Sequence, residues 1–232
     1  MQYKNISLFI LILYPFLIMS CASAKNRKAE TSGSTVNNVL THESYTREYI
    51  TYEPAIYDKT KKLPLLLVLH GGGGTNKQII KHTKSRFNQL ADRDKFYVVY
   101  PQGLEKGWND GRNDLQQFAS QNSINDVDFI RALIHKLQKQ YNIDKNRVFV
   151  TGISNGGFMS FRLGCELRDK IRAIAPVTAT IAKGALKYCT GKSDVALALF
   201  NGTDDPLVPY SSRSVTIFRK ERGKITPLHN KH

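Results

Sequence analysis

The feature that most limits the possible folds is the apolar run Leu63–Leu69, which is followed at once by His70 and four glycines. A run this short and this apolar indicates a β-strand that is buried on both faces, as in a parallel sheet. Phe96–Tyr100, which ends at Pro101, is a second run of the same kind. These runs predict a sheet that is covered by helices on both sides.

Helical and strand-like patterns alternate along the rest of the chain. Between Asn125 and Tyr141 the apolar residues recur at intervals of three and four, and Asn125 is well placed as a helix cap. The other predicted elements are strands at Tyr45–Tyr52, Arg147–Val150, Ile171–Pro176 and Val195–Phe200, and a helix at Gly156–Leu167. This alternation predicts an α/β fold with a mostly parallel central sheet.

The start of the chain has the layout of an export signal. Residues 1–20 combine a short, weakly positive start with an apolar stretch that is too short for a membrane span. The segment Ile18–Cys21 resembles a bacterial lipobox, which favours Cys21 as a site of lipid attachment. The alternative is cleavage at the A-x-A sequence Ala22–Ala24, which would release a free protein. We therefore expect an exported protein, either a membrane-anchored lipoprotein or a secreted one.

The 232 residues are enough for one domain. Residues 21–43 are polar and predict a tether, and residues 44–210 carry the predicted domain. The formal net charge is +15, which favours anionic surroundings such as acidic polysaccharide or lipid headgroups. The basic residues are scattered rather than interleaved with aromatic residues, so no nucleic-acid partner is expected.

The pentapeptide Gly152–Gly156 has the form G-x-S-x-G, with Ser154 at its centre. It lies between the strand-like run Val148–Val150 and the predicted helix at Gly156–Leu167. A serine in this context has its hydroxyl at the C-terminal edge of the sheet, where a base and a carbonyl carbon both reach it. Ser154 is therefore the predicted nucleophile of an acyl-transfer reaction.

Acyl transfer also needs hydrogen-bond donors for the oxyanion that develops on the substrate. The predicted donors are the backbone N–H of Asn155, directly after the nucleophile, and that of Gly72 or Gly73. Glycine is suited to this position because bare backbone must approach the substrate oxygen. His70 precedes the glycines, and we expect it to anchor their loop by hydrogen bonds rather than act as the base.

Two further residues follow predicted strands and are candidates for the site. Asp205, which Pro206 holds in place, is the preferred acid for orienting the base, with Asp204 as the alternative. Trp108 is predicted to contact the substrate at the mouth of the site, with packing in the core as the equal alternative. An aromatic side chain at the mouth would suit a feruloyl ring or the face of a sugar.

Several motifs occur in a fixed order between about Tyr45 and Tyr210. They are Leu69–Gly74, Trp108–Arg112, Asp126–Ile130, Asp144–Val148, Gly152–Gly157 and Gly202–Tyr210. Together they closely resemble the secreted esterase family of polyhydroxybutyrate depolymerases, feruloyl esterases and acetylxylan esterases. The resemblance implies an α/β-hydrolase fold and hydrolysis of carboxylic esters without a cofactor or metal. It also implies that Ser154 is the nucleophile and Asp205 the triad acid.

Besides Cys21, the sequence contains two cysteines, Cys165 and Cys189. In an oxidising compartment such a pair is more often bridged than free, and the resemblance also suggests that they pair. The alternative is two separate buried thiols. Their spacing does not fit a metal site.

The chain departs from the family pattern after Asp205. The order of a triad in this fold places the histidine after the acid, and members of the family carry a G-G-H segment there. Here only His229 and His232 follow, and no glycine precedes either. We therefore expect a domain that is truncated before its last strand and helix, with residues 211–232 as a basic, frameshifted tail. The general base is not identified.

Three functions are compatible with these features. The first is an exported serine esterase that acts on feruloyl or acetyl esters of plant-wall polysaccharides, or on hydroxyalkanoate polymers. The second is a surface lipoprotein without catalytic activity that binds carbohydrate or polymer, which the missing histidine favours. The third is a serine peptidase of the same fold, and it is the weakest because the resemblance is to esterases.

Overall fold

The computed structural model describes residues 32–55, 57–191, 194–210, 214–221 and 224–231. The predicted signal at 1–20, Cys21, the alternative A-x-A site and the first part of the predicted tether lie outside these residues. Within the described residues, no helix combines the length and the apolar character that crossing a membrane requires.

A seven-stranded sheet with the order β1-β2-β4-β3-β5-β6-β7 forms the centre of the described chain. Its strands are β1 (Ser34–His42), β2 (Tyr45–Glu53), β3 (Leu63–Leu69), β4 (Tyr97–Pro101), β5 (Ile143–Ile153), β6 (Ala173–Val177) and β7 (Ala196–Leu197). From β4 to β7 all neighbours are parallel, whereas β1 and β2 are antiparallel to their partners. The predicted mostly parallel α/β-hydrolase sheet is confirmed.

Helices cover both faces of this sheet. They are α1 (Asn76–His82), α2 (Arg86–Asp94), α3 (Phe118–Gln121), α4 (Asp126–Gln140), α5 (Asn155–Glu166) and α6 (Lys183–Leu186). The side chains of β3 alternate between two apolar clusters. Leu65, Leu67 and Leu69 pack in the cluster that contains α4 and α5, and Val68 packs in the cluster that contains parts of α1 and α2. Burial on both faces explains why this strand has a continuous apolar sequence.

Helix α4 forms for the reasons that its sequence suggests. Its buried residues include Val127, Ile130, Leu133 and Leu137, which recur at three and four. The side chain of Asn125 accepts a hydrogen bond from the N–H of Asp128 at 3.2 Å, so the predicted cap is confirmed. The amphipathic face fixes the helix on the sheet, and its first turn lies at the edge where the strands end.

The prediction of a polar tether over residues 21–43 is wrong for its last part. Residues Ser34–His42 form β1, which pairs antiparallel with β2 over its whole length. Most of β1 is exposed because it is the outer strand of the sheet. An edge strand that faces solvent needs backbone pairing but no apolar face, so its composition resembles that of a linker.

The last described segments also differ from expectation. Of the predicted strand Val195–Phe200, only Ala196–Leu197 forms β7, and Phe200 makes one further bridge to Val177. In the predicted basic tail, β8 (Ser214–Glu221) and β9 (Lys224–Lys231) form an antiparallel pair. An antiparallel pair forms through hydrogen bonds between the backbones of the two strands, so it needs no apolar pattern in the sequence.

The predicted disulfide between Cys165 and Cys189 is present. It closes a loop with a sequence separation of 24 residues and joins the end of α5 to the segment after α6. A cross-link over a loop of this length stabilises the folded chain by about 3 kcal/mol.

Candidate active site

Ser154 lies at a sharp turn between β5 and α5. Its backbone has φ 53° and ψ −121°, a conformation that non-glycine residues rarely adopt. The turn is held from both sides. The N–H of Ser154 donates to the carbonyl of Val177 at 2.9 Å, and its own carbonyl accepts from the N–H of Phe158 at 2.9 Å. This is the strand–turn–helix geometry of a nucleophile elbow.

The two glycines of the pentapeptide allow the close approach that this turn requires. A Cβ at Gly156 would lie 2.5 Å from the carbonyl oxygen of His70 and 2.6 Å from that of Leu69. A Cβ at Gly152 would lie 2.4 Å from the carbonyl oxygen of Gly156. Both positions exclude any larger residue, so the glycines are explained by contacts with β3 and within the turn.

Gly72 and Asn155 lie side by side next to Ser154. A Cβ at Gly72 would be 3.5 Å from the Cβ of Asn155, and one at Gly71 would be 3.7 Å from the Cβ of Ser154. Within the described chain, the backbone N–H groups of Gly72 and Asn155 have no hydrogen-bond acceptor. Two free donors beside a serine are the arrangement that stabilises a tetrahedral oxyanion.

Gly73 does not share this property, and its predicted role as an oxyanion donor is wrong. Its N–H donates to the carbonyl of Lys106 at 2.8 Å, and its φ of 73° turns the loop back towards that residue. The N–H of Gly73 is therefore not available to an oxyanion. Gly73 shapes the loop by its conformation, and the choice between Gly72 and Gly73 falls on Gly72.

Trp108 belongs to the core, so its predicted contact with the substrate is wrong. Its side chain has no exposed surface, and its ring Nε1–H donates to the carbonyl of His70 at 3.0 Å. Its backbone is bonded to the Asn155 side chain: the Trp108 N–H donates to Oδ1 at 2.8 Å, and Nδ2 donates to the Trp108 carbonyl at 3.0 Å. Trp108 thus supports the loop with His70 and the start of α5.

His70 anchors the glycine loop, as its position predicted. Its Nδ1 lies 2.8 Å from the carbonyl of Gly71, and its Nε2 accepts from the N–H of Gly103 at 3.0 Å. Burial lowers the pKa of this imidazole, although the bond to Gly71 opposes the shift. Both nitrogens of the neutral ring are therefore occupied, and His70 is not available as a general base.

Two buried ion pairs lie under the loops that surround Ser154. Asp126 accepts from the Arg47 guanidinium at 2.6 Å and from the N–H of Asn109 at 2.8 Å. Burial raises the pKa of Asp126, while the charge of Arg47 lowers it. Asp110 pairs with Arg112 at 2.7 Å and also accepts from Nδ2 of Asn155 at 2.6 Å. These pairs fix the backbone that follows Trp108, since the N–H of Asn109 donates to Asp126 and the N–H of Arg112 donates to Asp110.

Asp205 lies beyond the same end of the sheet as Ser154. Val177, which accepts from Ser154, bridges to Phe200, and the segment that contains Asp205 follows Phe200. Its Oδ1 accepts from the N–H groups of Leu207 at 2.8 Å and Val208 at 3.0 Å, which fixes the carboxylate in its turn. Among the described residues, no hydrogen-bond donor contacts its Oδ2.

A cavity of about 220 Å³ opens directly beside Ser154. Besides Ser154 and the glycine loop, its lining includes Ile79, His82 and Ile153. No sequence pattern predicts that Ile79 and His82 line the site, because the short helix α1 has neither a long periodic pattern nor a motif. His82 is exposed at the end of α1. Among the described histidines, His70 and His82 line this cavity.

The fold and the elbow define an α/β-hydrolase. The sequence profile of the phospholipase/carboxylesterase family matches residues 51–219, so the chain belongs to this family. The match covers all of the central strands and the elbow.

Similar proteins include enzymes named acetylxylan esterase or feruloyl esterase. The chain is 30% identical over 177 residues to the bifunctional acetylxylan esterase/xylanase XynS20E of Neocallimastix patriciarum, which covers 76% of this chain and 24% of that protein. It is 30% identical over 219 residues to feruloyl esterase D of Neurospora crassa, with 88% of this chain and 69% of that protein covered. The probable feruloyl esterase C of Aspergillus terreus is 29% identical over 168 residues, which are 70% of this chain and 56% of that protein.

Solved structures with the same fold include the acetyl xylan esterase from Aspergillus awamori. It superposes with a TM-score of 0.61 at 14% identity, over 77% of this chain and 75% of that one. A thermostable esterase superposes with a TM-score of 0.59 at 21% identity, over 75% of this chain and 48% of that one. At these low sequence identities, the similarity shows that the chain shares the fold of these two proteins.

Proposed function

We propose that this chain is a serine carboxylic-ester hydrolase that acts on feruloyl or acetyl esters of polysaccharides. The observation that carries the proposal is the strained elbow at Ser154 beside the free N–H groups of Gly72 and Asn155. This arrangement binds negative charge next to a serine hydroxyl, which is what acyl transfer requires. The esterase names of the relatives agree with it.

The reaction follows from the positions of these groups. The Ser154 oxygen attacks the ester carbonyl carbon, and the carbonyl oxygen takes up the electron pair between the two N–H donors. Collapse of this intermediate breaks the bond to the alcohol oxygen, which leaves as the alcohol with the proton that the Ser154 hydroxyl gave up, and the acyl group stays on Ser154. Water then attacks the same carbon, the bond to the Ser154 oxygen breaks, that oxygen takes back a proton from the water, and the carboxylic acid is released. We assign to Asp205 the role of orienting a base, because its segment lies beyond the same end of the sheet as Ser154.

The cavity beside Ser154 is suited to a small or flat acyl group. Its volume of about 220 Å³ and its two isoleucines, Ile79 and Ile153, favour an acetyl or aromatic acyl chain over a long polymer. The polymer part of such a substrate would remain outside. Because a polysaccharide does not enter a cell, export by residues 1–20 is part of this proposal. The mass of the mature N-terminus distinguishes an acylated Cys21 from a free start at Lys25.

Three substrates test the proposed activity on the full chain. We expect release of p-nitrophenol from p-nitrophenyl acetate and of ferulate from methyl ferulate, and no release of p-nitroaniline from a peptide anilide. Anilide cleavage at a similar rate would favour a serine peptidase instead. Folded protein that releases none of the three products, but is retained on xylan, would support the binding lipoprotein and contradict the esterase.

A further inference from the structure

A second cavity, of about 380 Å³, lies on the flank of the domain. Its walls come from the loop after β4, the residues just before α4, helix α5 and the segment around α6. None of its lining residues also lines the cavity beside Ser154. The second cavity is therefore a separate site, and its chemistry is different.

Two positive side chains flank one aromatic ring in this cavity. The guanidinium carbon of Arg162 lies 5.7 Å from the centre of the Tyr188 ring, and Nζ of Lys187 lies 4.8 Å from it. Tyr188 is 39% exposed, so its ring is accessible to a ligand. A ring between polar groups is a common contact surface for the apolar face of a sugar.

The charges in the cavity do not balance. Arg162 forms an ion pair with Glu166 at 2.6 Å through Nε, and its Nη1 donates to the carbonyl of Asn109 at 2.6 Å. These bonds fix the guanidinium and leave Nη2 as a donor. Lys187 is exposed, and it has no acidic partner among the described residues. One positive charge is thus left for a ligand, which favours an anionic group.

Amide side chains provide the remaining polar surface. Nδ2 of Asn109 donates to the carbonyl of Ile124 at 3.0 Å, and Oδ1 of Asn125 accepts from the N–H of Asp128 at 3.2 Å. These bonds leave the oxygen of Asn109 and the amide nitrogen of Asn125 for a ligand, and Asn113 lies in the same wall. Acceptors and donors in alternation are suited to sugar hydroxyl groups, which both donate and accept.

The walls are held in place before a ligand arrives. A Cβ at Gly184 would lie 2.2 Å from the carbonyl oxygen of Gly111, so helix α6 is in direct contact with the loop after β4. The disulfide from Cys189 to Cys165 fixes the residue next to Tyr188 against α5. A site formed in advance loses less conformational entropy when it binds.

We propose that this second cavity binds the carboxylate of a hexuronic acid unit in an anionic polysaccharide. Lys187 and Arg162 contact the carboxylate, Tyr188 contacts the sugar ring, and the asparagines contact its hydroxyl groups. This binding site goes beyond the proposed ester hydrolysis and does not depend on it. The net charge of +15 would add long-range attraction to the same kind of polymer.

Amide NMR spectra of the 15N-labelled full chain test this site. Methyl β-D-glucuronide is expected to shift the N–H resonances of Gly111, Gly184 and Tyr188, and methyl β-D-glucoside to bind there at least threefold more weakly. Lys187→Gln is expected to weaken glucuronide binding about three- to fivefold, the size of one partly exposed ion pair. Lys183→Gln removes the same charge from α6 outside the cavity and should leave the affinity unchanged.

Several results would overturn the proposal. Equal binding of the glucoside and the glucuronide would remove the role of the carboxylate. Saturation by acetate as tight as that by the glucuronide would show a simple anion site. Equal effects of the two lysine variants would show attraction by net charge alone. The readout is binding, so a chain without esterase activity would still support or contradict this site.

Discussion

Replacing Ser154 with alanine is expected to lower the kcat for p-nitrophenyl acetate by more than about tenfold, to the rate of the no-enzyme reference. The change removes the oxygen that forms the acyl-enzyme. A water molecule that enters the site is not held in the position of the serine oxygen, so it is a poorer nucleophile. Alanine keeps the Cβ, so the backbone at φ 53° is no more strained than before. We therefore expect the free energy of unfolding to change by less than about 0.5 kcal/mol.

Ser120→Ala is the matched control for this variant. The Ser120 hydroxyl is buried, and no group in the described part of the chain bonds to it, so its removal should change neither kcat nor stability by much. Turnover by Ser154→Ala within tenfold of the unaltered chain would show that another group carries out the chemistry. The assay needs a no-enzyme reference, because p-nitrophenyl acetate also hydrolyses in buffer.

Replacing Asp126 with alanine is expected to have the largest effect on stability. It would leave Arg47, whose side chain is 1% exposed, without its carboxylate at 2.6 Å. An unpaired buried charge of this kind costs about 3–5 kcal/mol. The N–H of Asn109 would also lose its acceptor, so the backbone next to Trp108 would become less ordered. Urea unfolding, followed by circular dichroism, measures the change.

Asp128→Ala removes the same charge two residues along the chain and serves as the control. Asp128 is 53% exposed and pairs with His42 at 3.0 Å and with Arg131 at 3.8 Å. Exposed pairs contribute less than about 1 kcal/mol each, so a small loss is expected. Losses of similar size in the two variants would mean that Arg47 and Asp126 are not a buried pair in solution.

Sequence patterns predicted the central part of the fold better than its edges. Leu63–Leu69 and the run ending at Val150 are apolar because both faces of their strands are covered, and this signal needs no other information. β1 has no such signal, since it is exposed and forms through backbone bonds to β2. The parts of a fold that rest on backbone pairing alone leave little trace in composition.

The same distinction applies to the site. Ser154, Gly72 and Asn155 were predictable because the turn requires glycine and the nucleophile needs adjacent N–H groups. Gly73 differs from Gly72 in its φ of 73° and in its bond to the distant Lys106 carbonyl, and no local sequence pattern shows that bond. Trp108 is buried by packing against residues far along the chain. Contacts between residues far apart in the sequence therefore determine the roles of both Gly73 and Trp108.

The central claim is that Ser154 is the nucleophile of the folded chain, and covalent labelling tests it most directly. The full chain is treated with a fluorophosphonate and digested with trypsin, and the peptide Val148–Arg162 is sequenced by tandem mass spectrometry. We predict one phosphonate group for each protein molecule, attached to Ser154 and not to Ser160 in the same peptide. A folded chain that takes up no label, or that carries it on any other residue, would contradict the account.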